Sequence, residues 1–153
     1  AGRAGRGEER GHVIVQTYSP EHYAVTAAAA HDYEAFYRTE IKMRKLLGYP
    51  PYADMMQIVV SSAEESDAQA GADLTEALLR CALGDREALN LMGNRPAPIG
   101  KASGRYRYHM ILKCPKGKRP LYTSFIDAVQ RQIIADKKNK FNIYVDINPY
   151  SFM

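Results

Sequence analysis

The chain has 153 residues, the size of one ordinary domain, and its 46% apolar and 25% charged content excludes a disordered polar tract. No apolar run approaches the roughly 20 residues of a membrane span, and two cysteines, Cys81 and Cys114, exclude a disulfide framework or a four-cysteine zinc site. The net charge of +4 hides a division: residues 1–94 carry 9 basic and 14 acidic side chains, residues 95–153 carry 12 and 3, and a clustered positive field is the footprint of an anionic partner, most often nucleic acid.

In chain order, residues 1–11 are Gly/Arg-rich and polar, and Ala1 stands where an initiating methionine would, so a fragment is expected. The β-branched run from His12 to Thr17 predicts a strand. Ser19 as cap and Pro20 at the first helical position predict a helix over 20–30. His31 and Asp32 then cap a second helix reaching Leu47, with Tyr33, Phe36, Tyr37 and Ile41 as its apolar stripe. Gly48 and Pro50–Pro51 stop it. A strand is predicted over 55–61 and a helix over 64–83 that ends at Gly84, with Cys81 in the helix core. A strand begins over 88–92 and gives way to an irregular stretch containing Pro96 and Pro98. Alternation over 106–114 predicts a strand, with Cys114 at its end. A helix over 120–135 puts Leu121, Phe125, Ile126, Val129 and Ile133 on one face, and residues 141–147 form the last strand. The order β-α-β-β-α-β over about 52–148 is that of the ferredoxin-like split βαβ fold, class α+β.

Three groups of residues carry chemistry. Gly2-Arg3-Ala4-Gly5-Arg6-Gly7 sets two arginines among glycines. Glycine lets backbone approach a ligand closely, and a guanidinium fork matches phosphate oxygens. The alternative is a flexible Gly/Arg terminus. In the second group, strand alternation puts Arg105, Arg107 and His109 on one face and Tyr106, Tyr108 and Met110 on the other, with Lys101 just upstream. Arginines there suit a phosphate backbone and tyrosines suit base stacking; the alternative is tyrosines packed on helices and arginines in solvent. The third group, Lys113, Lys116, Lys118 and Arg119, opens the second helix of the ferredoxin-like unit. Cations at a helix N-terminus oppose folding and attract an anion; a solvated loop is the other reading. Lys137, Lys138 and Lys140 read as a solvated turn. Tyr49-Pro50-Pro51-Tyr52 reads as a rigid connector. The histidines form no triad, and no G-x-x-x-x-G-K-[ST] phosphate loop occurs.

The Gly/Arg motif, followed by Gly11-His12-Val13-Ile14-Val15-Gln16-Thr17, resembles the last motif and closing strand of a superfamily 2 helicase. The likeness continues through Glu40–Pro51, Pro96–Ile99, Gly104–Tyr108 and Val145–Phe152. Together these resemble the C-terminal part of the PriA (primosomal protein N′) family of bacterial replication-restart helicases. The resemblance implies three regions: residues 1–19 finish the second RecA-like helicase lobe, 20–51 form a helical connector, and 52–153 form a ferredoxin-like DNA- and partner-binding domain. It implies an ATP-dependent 3′→5′ DNA helicase that recognises stalled or branched forks and initiates primosome assembly, using ATP and Mg2+, with Zn2+ held elsewhere in the intact protein and no zinc ligand in this chain. Arg6 is then the arginine finger and Arg3 a supporting phosphate contact, with Gly2 and Gly5 beside the nucleotide. Lys101, Arg105 and Arg107 bind DNA. Lys116, Lys118 and Arg119 take the acidic tail of single-stranded DNA-binding protein. The fragment alone is expected to be inactive, monomeric and cytoplasmic, associated with the nucleoid, with forked or single-stranded DNA and primosome proteins as partners. The competing reading is a non-catalytic module that binds nucleic acid or an acidic peptide.

Overall fold

The computed structural model describes residues 13–150, in two compact units divided in sequence after Met43. The run Val13–Val15 forms no strand, and its side chains are exposed, Ile14 at 92%. A strand needs a neighbour to complete its hydrogen-bond ladder, and no described segment pairs with this one. The expected strand over 12–17 is therefore absent from 13–17; His12 and the arginine motif lie outside the described residues. The first helix is α1 (Tyr23–Ala29). Its cap is His22 rather than Ser19: a turn from the His22 amide to the Ser19 carbonyl at 3.1 Å delays the helix start, and His22 Nδ1 accepts from the Ala24 amide at 3.2 Å. Next comes α2 (Tyr33–Leu47), which starts where Asp32 predicts, with that carboxylate accepting from the Ala35 amide at 2.9 Å. In its predicted stripe Phe36 and Ile41 are half-buried, whereas Tyr33 and Tyr37 are exposed.

The second unit begins in the last turn of α2. Gly48 at φ +62° ends that helix. The Gly48 amide donates to the Lys45 carbonyl and the Tyr49 amide to the Arg44 carbonyl, the paired reverse bonds of a glycine stop. Then follow β1 (Ala53–Ser62), α3 (Glu65–Ala88), β2 (Leu91–Ala102), β3 (Arg105–Pro115), α4 (Arg119–Ala135) and β4 (Asn142–Ile147). The strands lie in the order β2-β3-β1-β4, every neighbouring pair antiparallel. Each strand-helix-strand crossover thus skips one position, which another strand fills. That is the ferredoxin-like split βαβ arrangement read from the element order.

One sheet face carries the main core. Met56, Ile58 and Val60 of β1 and Met110 and Leu112 of β3 pack with Ala68, Ala72 and Leu79 of α3 and Tyr122, Ile126, Val129 and Ile133 of α4. The predicted face of α4 is buried at Ile126, Val129 and Ile133, with Phe125 packed against the core, and differs only at its first turn. Leu74 and Leu121 are exposed at 39% and 46%, whereas Gly71, Thr75 and Tyr122 are buried. Small residues on α3 let the helix approach the sheet end, where the Phe141 ring lies against Gly71. Tyr122 carries its polar tip inward because its hydroxyl accepts from Asn90 Nδ2 at 3.1 Å. Gly84, at φ +71° and ψ 170°, interrupts α3 where its stop is predicted, and a short further turn follows. Cys81 is exposed rather than in the helix core, being on the outer side of that helix; Cys114 is buried, and burial raises its thiol pKa.

The stretch around Pro96 and Pro98, predicted to be irregular, belongs to β2. Its pairing with β3 shifts register between Met92 and Arg95 and again between Pro96 and Lys101. Proline has no N–H for a ladder and is tolerated on an edge strand, and β2 is an edge strand here. Position in the sheet, which local sequence does not encode, allows a strand to run through both prolines.

Candidate nucleic-acid interface

Alternation on β3 sorts its side chains as predicted. Tyr108 and Met110 belong to the helix-side core and Tyr106 packs against it. Tyrosine packing therefore wins over base stacking for Tyr106 and Tyr108. Arg105, Arg107 and His109 fall on the opposite face by the period of two. Antiparallel partners share a face, so the register extends this set across the sheet. His109 lies between Arg95 of β2 and Val59 of β1, and Val59 is followed by Tyr144 of β4. Arg107 is followed by Ser61 and Asn142.

The centre of this face is buried, with Val59 at 1% and His109 at 4% exposure. Arg95 and Tyr144 at its two sides are exposed, and Arg105 and Arg107 are half-buried. Arg105 is tied down: its Nη2 donates to the Ser61 carbonyl at 2.8 Å and its Nε to Ser61 Oγ at 3.3 Å. Arg107 differs, because its Nε is buried and finds no acceptor. An unmet buried donor costs about 1–3 kcal/mol and calls for an explanation. His109 Nδ1 lies 3.2 Å from Gln57 Nε2. Burial foremost, then the charges of Arg95 and Arg107, hold this imidazole below its ordinary 6.5. It is therefore mostly neutral near pH 7, and the positive charge of the face resides in its arginines.

Lys101 stands apart from them. It is the cross-strand partner of Tyr106, with Nζ 3.1 Å from the tyrosine hydroxyl and 4.2 Å from the ring centre, and so lies on the tyrosine side of β3. Arg95 and Tyr144 complete the arginine face, and sequence reading missed both. Arg95 sits among prolines that mask the strand. Tyr144 sits in a strand whose alternation, followed outward, would have placed it there.

The loop leading into α4 is largely paired. Lys118 Nζ meets Glu87 Oε1 at 3.1 Å. Arg119 grips both Asp54 oxygens, at 2.6 and 3.0 Å, and Asn148 Nδ2 donates to the same carboxylate at 2.8 Å. These bonds, Arg119 first, hold the Asp54 carboxyl below its ordinary 3.8. They join the starts of β1 and α4 to the end of β4, so Arg119 is a structural tie. A depressed carboxyl pKa stabilises the fold above the unfolded pKa, and that contribution is lost as pH falls through the folded value. Asp54→Asn should therefore lower the urea midpoint near neutral pH, and its deficit against the parent should shrink on acidification below about pH 4. A pH-independent deficit would mean that the carboxylate charge plays no part.

Lys116 is exposed and helps line a groove of about 510 Å³ with Lys45, Lys113, Leu46, Tyr52 and Met92 among its walls. Lys113 Nζ donates to the Leu47 carbonyl at 2.9 Å and lies 4.5 Å from the Tyr49 ring centre. Lys137, Lys138 and Lys140 are exposed between α4 and β4. Arg3, Arg6, Gly2 and Gly5 lie outside the described residues, and among the described residues no helix is long and apolar enough to cross a membrane.

The profile of a family described as the primosomal protein N C-terminal domain matches residues 45–150. The chain is 34% identical over 155 residues to the replication restart protein PriA of Bacillus subtilis, covering 100% of this chain and 19% of that protein. It is 37% identical over 119 residues to the PriA of Synechocystis, covering 75% of this chain and 14% of the relative. Against the PriA of Thermotoga maritima it is 34% identical over 137 residues, covering 85% and 18%. The chain thus spans about a fifth or less of the length of these relatives. With a match over residues 45–150 and the fold expected of it, the chain belongs to the primosomal protein N C-terminal domain family.

Proposed function

We propose that this chain serves replication restart as the DNA-holding C-terminal part of a longer helicase, and that it holds DNA through the arginine-bearing sheet face. The single observation carrying this is the arginine cluster: exposed Arg95 of β2 and half-buried Arg105 and Arg107 of β3, which the register brings to one face from separate strands. A phosphate oxygen is the acceptor such a guanidinium is built to meet. Lys101 is left out of the contact set, and Arg105 orients the strand end from its bonds to Ser61. In the intact cytoplasmic protein, Arg6 would reach an ATP phosphate with Arg3, Gly2 and Gly5 beside it, and ATP with Mg2+ would drive translocation. The test is anisotropy titration of labelled forked DNA with the whole chain at rising salt. Affinity that falls log-linearly with salt supports phosphate contact; affinity indifferent to salt overturns it.

The groove bearing Lys45, Lys113 and Lys116 favours a second, compatible activity. Cations on its rim and apolar walls match an acidic, partly apolar peptide such as the tail of single-stranded DNA-binding protein. In this reading Lys116 is retained from the predicted trio, while Lys118 and Arg119 are engaged with Glu87 and Asp54.

A further inference from the structure

We infer that the groove between the last turn of α2 and the sheet is a clasp, which an acidic peptide with an apolar end closes by joining its two walls; this rests on the peptide reading of that groove above. The walls come from different parts of the chain. Lys45, Leu46 and Leu47 at the end of α2 form one, and Met92 of β2, Lys113 of β3 and Lys116 just after β3 stand in the other. Packing does little to join them. No residue of α2 is buried, and Leu46 and Leu47 are 78% and 47% exposed. A helix without a buried face draws little stability from its surroundings, so its end opens readily. The walls meet at Lys113. Its backbone amide donates to the Asn90 carbonyl at 3.0 Å, while its Nζ reaches the Leu47 carbonyl and the Tyr49 ring. That ammonium sits at the negative end of α2, where a cation is favoured. The groove has no acidic lining residue, so its three ammonium groups repel one another. Carboxylates on a peptide remove that repulsion and can pair with Lys45 on one wall and Lys116 on the other. Lys113 has three donors, enough to meet a carboxylate and keep Leu47. The apolar end of the peptide covers Leu46, Leu47 and Met92, which a phosphate backbone would leave in water. Because α2 runs from one compact unit into the other, the clasp fixes the C-terminal end of the helix they share.

The test is amide hydrogen exchange, followed by NMR on the whole chain with and without an acetylated peptide of four aspartates followed by two leucines. The amides of Gly48 and Tyr49, which bond to the Lys45 and Arg44 carbonyls, report opening of the α2 end. With the peptide at about ten times its Kd, their exchange should slow about tenfold. The Asn139 amide, in the turn before β4, should change by less than about twofold. Lys45→Gln and Lys116→Gln, one on each wall, should each weaken the peptide about threefold. A loss from only one of these variants would place the peptide on a single wall and overturn the clasp, as would binding that leaves Gly48 and Tyr49 exchanging at their free rates. If the peptide does not bind, the peptide reading of the groove fails, and the clasp with it.

Discussion

Replacing Arg95 and Arg107 together by glutamine should cut affinity for single-stranded or forked DNA about a hundredfold at low salt, with little change in thermal stability. A hydrogen bond to a charged group is worth about 1.5 kcal/mol or more, about tenfold per arginine. Arg95 is exposed on an edge strand, and Arg107 already lacks an acceptor for its Nε, so the fold loses little with either. The same variant carries an internal readout. Two neighbouring positive charges help depress His109, but burial is the larger cause. Its pKa, followed by NMR of the imidazole protons, should rise only part of the way toward 6.5. Lys137→Gln/Lys138→Gln, in an exposed turn outside this face, should cost DNA affinity far less. Comparable losses from the two double variants would mean that net charge, rather than the sheet face, governs binding.

Gly71→Ala should destabilise the domain by about 1–2 kcal/mol, although alanine is the better helix former. Intrinsic propensity favours alanine by up to about 1 kcal/mol. Against this, a Cβ at position 71 would stand 2.5 Å from Cγ of Phe141 and within 2.8 Å of two further ring atoms. Overpacking of this kind costs about 1–3 kcal/mol. The ring is partly buried against the core where the chain enters β4, so moving it disturbs the edge strand that carries Tyr144. Gly71→Leu should cost more. Urea denaturation of both variants gives the answer: a raised midpoint for Gly71→Ala would show that the ring swings away freely and that the close approach is not needed.

Much of the architecture is legible in the sequence because periodicity and glycine stops are local. Gly48 and Gly84 mark helix ends where the structure has φ values of +62° and +71°, and the alternation of β3 correctly separates Arg107 from Tyr108. What is lost is whatever depends on partners distant in sequence. Val13–Val15 has strand composition but no strand beside it among the described residues. The proline stretch becomes β2 because it lies at an edge. Tyr122 outranks Leu121 in the core because Asn90 satisfies its hydroxyl. Charge density in the sequence does not reveal pairing: Lys118 and Arg119 read as part of a cationic loop, and Glu87 and Asp54 reach them from 31 and 65 residues away. Arg95 and Tyr144 join the site only through register, which no single segment contains.

The most direct test of the sheet-face account is the salt slope of DNA binding, measured for the parent chain and for Arg95→Gln/Arg107→Gln on the same oligo(dT). Each phosphate contact on a single strand contributes about 0.7 to the slope of log affinity against log salt. Two lost contacts should therefore make the variant's slope shallower by about 1.4, so that the two affinities converge as salt rises. Parallel slopes, with whatever difference in affinity, would contradict the placement of phosphates at these two arginines.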